Sequence, residues 1–182
     1  MKAPLPHLLS SSLSLMVAAC HPGYTVLAPH SQVESVVMSL PPSAPRVEQR
    51  LVLVVSPKEG KKMRLEYASL SLEVDHSWQG LKGDTSEFIP WLRVRIVDER
   101  DGSIYAERAN DTNPLHPIMG LYRLDHPLCQ QAEERCEVPF RIEIERQGPP
   151  AEGILNVHWK ATGSALAHEA EVSNIEVRLR ER

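Results

Sequence analysis

The chain is short of cysteine, glycine and aromatic residues. Three cysteines, two phenylalanines and nine glycines occur in 182 residues, and aromatics make up only 5%. Basic charge is scarce too, since 20 Lys and Arg stand against 24 Asp and Glu for a formal net charge of −4. Nucleic-acid binders carry a basic excess or a basic stripe, so that class is excluded. The one arginine-dense segment, Arg178, Arg180 and Arg182, is interleaved with Glu176 and Glu181 and reads as the solvated face of a strand. There is no phosphate-cradling glycine loop, no H-E-x-x-H or His-x-His pair and no complete EF-hand loop. Ser164, in Thr162-Gly163-Ser164-Ala165, lacks the second glycine of a nucleophile elbow. These absences leave no catalytic residue to nominate, and we expect a non-enzymatic protein without cofactor or resident metal.

What the chain does have is proline, 15 in all, with an ordinary 42% hydrophobic and 24% charged content. A chain of this length holds one domain plus extensions. The composition favours short strands and many turns over long helices.

The first twenty residues run from Lys2 through a modestly apolar stretch, Leu8 to Ala19, to Val17-Ala18-Ala19-Cys20. That order is the order of an export signal, and the apolar part falls short of the about 20 residues that a bilayer span needs. The four residues ending at Cys20 resemble the lipobox of bacterial lipoproteins. The resemblance implies a signal peptide over 1–19, a lipid-bearing Cys20 as first mature residue, and membrane attachment through that lipid. The next residue is His21 and not aspartate, which in the Gram-negative sorting pattern implies the outer membrane, on either its periplasmic or its surface face. With Cys20 so used, Cys129 and Cys136 remain as an even pair with six residues between them, and a disulfide is expected in an exported protein.

From Cys20 to residue 49 the prolines Pro22, Pro29, Pro41, Pro42 and Pro45 predict a semi-extended tether. Within it Ser31 to Leu40 reads as a short capped helix or, from its β-branched Val33, Val36 and Val37, as a strand. From Arg50 to the end the apolar period is two. Strands are expected at Leu51–Val55, at Met63–Val74 with a bulge near Ala68 and Ser69, and in a hairpin of Trp91–Val97 with Ser103–Ala109 around Asp101-Gly102. A weak strand at Ile118–Leu124, a second hairpin of Val138–Arg146 with Gly153–Ala161, and a closing strand at Val172–Arg180 follow. About eight such strands between turn clusters predict an all-β antiparallel sandwich of immunoglobulin-like or transthyretin-like type over 50–182, topology open.

If every strand runs the length of the sandwich, loops alternate between its ends. His76, Trp78, Asp111 and His116 then share one end and form the candidate binding surface, with Trp78 either its anchor or, on the plainer reading, folded back over the edge of the sandwich. Asp98, Asp101, Asp125, His126 and His168 share the other, beside the disulfide. Either set contains metal-ligand types, but ordinary solvated turn residues are the plainer reading. Trp91 and Trp159 fall within strands and are assigned to the core. The leading functional expectation is a protein-binding accessory or scaffold subunit of an envelope or secretion assembly, because lipid, spacer and small sandwich are similar in layout to secretion-system accessory lipoproteins. The alternative is a module binding a metal ion or a cell-envelope carbohydrate.

Overall fold

A computed structural model describes residues 25–27, 30–80, 90–112, 118–123, 127–148 and 152–182. The strands are β1 (Thr25–Leu27), β2 (Ser31–Glu34), β3 (Met38–Leu40), β4 (Arg46–Pro57), β5 (Leu65–Gln79), β6 (Trp91–Asp98), β7 (Ile104–Asp111), β8 (Ile118–Tyr122), β9 (Cys136–Gln147), β10 (Ile154–His168) and β11 (Ile175–Glu181). One four-residue helix, α1 (Glu169–Val172), joins the last two. The domain is an antiparallel β-sandwich of two sheets. One has the order β11-β4-β9-β6-β7; the other runs β10-β5-β8, with β1, β2 and β3 paired in turn along the free edge of β10.

Period-two alternation sets the core. Phe140, Ile142 and Ile144 of β9 face Leu155, Val157 and Trp159 of β10 across the sandwich, and all six are buried. Burying each large apolar side chain is worth about 1.5–3 kcal/mol. Leu51, Leu53 and Val55 of β4 and Leu70, Leu72 and Val74 of β5 extend the same layer. Gly163 of β10 lets the sheets approach closely, because a Cβ there would collide with Leu53 Cδ1.

Several expectations need correction. Val138–Arg146 and Gly153–Ala161 do not form a hairpin: β9 and β10 lie in different sheets, so their connection crosses the sandwich. Alternation identifies the inward face of a strand but not the neighbour it bonds. The bulge in β5 falls at Glu66, between the pairs Leu65–Ala167 and Tyr67–Leu166, and not at Ala68 and Ser69. Residues 46–49, assigned to the tether, open β4; of the two readings of the stretch before them the strand is the one found, at 31–34 and 38–40. The cause is the edge of β10, whose backbone groups need partners. Where the edge chain breaks between β2 and β3, Ser35 donates its N–H to Trp159 O and its hydroxyl accepts the Trp159 N–H, both at 2.9 Å. Ser31 ties the sheets together, its hydroxyl accepting the N–H of Leu179 on β11 at 2.9 Å.

The outer face of the five-stranded sheet is a grid of arginine and glutamate. Arg46 and Arg141 flank Glu143 at 3.1 and 3.0 Å, Arg93 meets Glu145, Arg95 meets Glu107 at 2.9 Å, and Arg50 and Arg182 share Glu99 at 3.1 and 3.6 Å. Each such pair is worth at most about 1 kcal/mol at the surface. Arg178 also pairs, with Glu176 at 2.8 Å, and is a solvated strand residue as expected.

Candidate functional site

The candidate residues of the first loop set are distributed differently from the expectation. His76 and Trp78 lie in β5 itself and not in a loop, because that strand runs on to Gln79. Both continue the inward row Leu70, Leu72, Val74, so His76 is buried and Trp78 half-buried against the core. The Trp78 indole N–H donates to Thr112 O at 3.2 Å. Arg146, inward from β9, lays its guanidinium over the indole ring at 4.7 Å and donates to Gly153 O at 3.0 Å. Burial pushes the Arg146 pKa down. Thr112 is fully buried and donates its hydroxyl to Pro90 O at 2.8 Å. His76 finds no hydrogen-bond partner for either ring nitrogen among the described residues. Loop parity did bring Trp78 to the end of β7, but as a closed lid on the core. The backbone of Asp111 pairs with Trp91; His116 lies outside the described residues. Trp91 is a correction: it sits on the outer face of β6 and is 54% exposed, while Trp159 is buried as expected.

At the opposite end Cys129 and Cys136 are joined by a disulfide. The bond is consistent with an extracytoplasmic location. Its loop docks on the start of β5: Ala68 and Leu128 exchange backbone hydrogen bonds at 2.7 and 2.9 Å, and Gln131 N–H donates to Glu66 O at 3.1 Å. Between loop and strand lies an open cleft of about 520 Å³ walled by Arg64, Glu66, Tyr67, Gln130, Gln131 and His168. His168 is 3.5 Å from Glu66. Asp98 is buried and held by Arg100, and Asp101 accepts the Ser103 N–H at 2.8 Å, which lowers the Asp101 pKa. Asp98 and Asp101 are thus spent on turn structure, whereas His168 is the last residue of β10 and walls the cleft; Asp125 and His126 lie outside the described residues. Among the described residues no group of three or more His, Cys, Asp or Glu is placed to hold a metal ion.

A third feature went unread in the sequence. Among the described residues β8 bonds only to β5, and its outward residues Ile118 and Tyr122 are 64% and 72% exposed while Met119 and Leu121 fill the core. Gly120 between them leaves open space, with nothing within 4 Å of a would-be Cβ. The Gly120 carbonyl accepts Arg108 Nη1 of β7 at 2.9 Å. Arg123 donates to the Ile104 and Tyr105 carbonyls at 3.1 and 2.9 Å. Among the described residues, arginine side chains and no backbone ladder bridge the edges of the two sheets. The available signal was a strand apolar in both phases, Ile118-Met119-Gly120-Leu121-Tyr122.

The sequence matches no protein-family model, and comparison with curated proteins finds no relative.

Proposed function

We propose that the chain is a membrane-anchored envelope lipoprotein, tethered through Cys20, whose sandwich binds a protein partner as an accessory or scaffold subunit of an envelope or secretion assembly. The observation that carries the reading is the β8 edge, where Ile118 and Tyr122 are exposed on either side of an open Gly120. A sheet edge offers unpaired backbone groups, and exposed apolar side chains beside it supply the specificity pockets of strand addition. In the cell, a photoreactive amino acid at Tyr122 should cross-link one defined envelope protein. Ile118→Ser should abolish that product without changing the melting temperature. Cross-linking unaffected by Ile118→Ser would remove β8 as the docking edge.

The alternative reading, a carbohydrate-binding module, is favoured by one observation: the cleft beside the disulfide combines the amides of Gln130 and Gln131 with Tyr67 and charged groups, a lining suited to hydroxyl-rich ligands. Calorimetric titration with peptidoglycan fragments tests it, and a Tyr67→Ala variant that binds equally well would sink it.

A further inference from the structure

We infer that the disulfide end of the sandwich rests on the membrane surface and that the loop Lys58–Arg64 engages anionic lipid headgroups there; the inference rests on the reading of Cys20 as lipidated. The leash is the first argument. The sequence alone suggested a 30-residue spacer, but Thr25 already pairs with His168 on β10, and only four residues separate it from Cys20. Even a fully extended chain covers about 18 Å over that interval. Along β5, Trp78 lies 13 residues beyond Leu65, or about 40 Å at the rise of a strand. The end at which β1 begins is therefore the end held at the bilayer, and the lid of Trp78 and Arg146 points away from it.

Charge is the second argument. The β4–β5 connection lies at this same end. Lys61 N–H donates to Lys58 O at 3.0 Å to close a tight turn, and Gly60 supplies the positive φ, +70°, that the turn's third residue needs. Met63 is buried and pins the loop, and Lys58 N–H donates to Asn174 O at 2.7 Å, tying it to the link between α1 and β11. Lys58, Lys61, Lys62 and Arg64 are all exposed. Glu59 is the one acid in the loop, so its net charge is +3. Unlike the arginines of the five-stranded sheet, none of these four forms an ion pair with a described residue. Of the acids at this end, Glu66 lies 3.5 Å from His168, Asp98 and Glu137 pair with Arg100 and Arg135, and Glu133 and Glu134 ride on the disulfide loop on the other side of β5, three strand spacings or about 14 Å from β1. An unpaired cationic loop close to a lipid anchor is attracted to an anionic surface, and each such charge adds about a fivefold preference.

The test uses the full acylated chain in vesicles of about three parts phosphatidylethanolamine to one part phosphatidylglycerol. Lysine acylation footprinting, read by mass spectrometry, should find Lys58, Lys61 and Lys62 at least about fivefold less reactive than in the vesicle-free Cys20→Ser chain. Lys160, on the outer face of β10, serves as the internal reference and should be unchanged. Inserting twenty Gly/Ser residues between Cys20 and Thr25 should restore reactivity while acylation persists. Acylated protein with equal lysine reactivity in both states overturns the orientation alone. A chain that carries no lipid at Cys20 in the same mass spectra overturns the lipoprotein reading and this inference with it.

Discussion

Trp78 and Arg146 close one end of the sandwich as a stacked pair contributed by opposite sheets, the guanidinium carbon 4.7 Å from the indole centroid. Arg146 is 8% exposed, so its aliphatic stem packs like an apolar residue while its head donates to Gly153 O. A desolvated cation over an indole contributes up to about 2 kcal/mol. Truncation therefore acts on folding first. Trp78→Ala should lower unfolding free energy by about 2–4 kcal/mol in denaturant titration, and Arg146→Met, which keeps the stem, by less. An unchanged midpoint for Trp78→Ala would mean that the lid is not part of the core.

His76 is the converse case, a buried imidazole with no partner among the described residues. A buried polar group without a hydrogen bond costs about 1–3 kcal/mol. His76→Leu, close in volume, should hold or raise the melting temperature. A marked fall in thermal stability would reveal a partner for this ring.

Gly163→Ala should destabilise by about 1–3 kcal/mol, because the new methyl meets Leu53, a fully buried side chain with nowhere to turn. Adding Leu53→Val should recover part of that loss. Two additive losses in a double-mutant cycle would show that Gly163 and Leu53 are not in contact.

Cys129→Ser with Cys136→Ser should cost about 2.5 kcal/mol, the chain-entropy value for a loop of this size. The loss should be local. Hydrogen exchange should rise at Leu65, Ala68 and Gln131, whose N–H groups bond between β5 and the docked loop, and not at Phe140 or Trp159 in the core. Uniform acceleration across the core would overturn the local account.

Acid should act on this end as well. The Ser103 N–H bond lowers the Asp101 pKa, and the Arg135 bond lowers that of Glu137. Groups depressed in the folded state contribute stability above their unfolded pKa and lose it as pH falls through the folded one. Both side chains are exposed, so the effect is small. Asp101→Asn should cost a little stability at neutral pH and none well below the ordinary carboxylate range, so that the acid limb of the melting curve flattens; a loss of equal size at neutral and acid pH would contradict this.

Legibility differed sharply from strand to strand. The β6–β7 hairpin was readable because Asp101-Gly102 is a local turn signal and Gly102 takes the positive φ it implies, +75°. β5 was readable to Val74, where charged Asp75 and polar Ser77 looked like a loop; they are outward residues of a strand that continues another turn of the alternation to Gln79. Trp91 was misplaced because an aromatic in a strand can face either way, and the outward phase of β6 belongs to Arg93 and Arg95. The exposed face of β8 was only hinted at by a strand apolar in both phases, since whether outward Ile118 and Tyr122 are covered depends on what packs on that face.

By itself the sequence determined which residues turn inward, through alternation within each strand, and which two cysteines were left to pair, through their number and spacing. It also carries the lipobox-like segment on which the reading of Cys20 rests. The tertiary structure alone decided the neighbours. It sent β9 and β10 to opposite sheets, recruited residues 25–27, 31–34 and 38–40 onto the free edge of β10, and left only four residues between Cys20 and the first strand. The reason is physical: side-chain pattern is a property of one strand, whereas backbone hydrogen bonding is satisfied only between strands, and the edge that most needs a partner exists only after the sheet has formed.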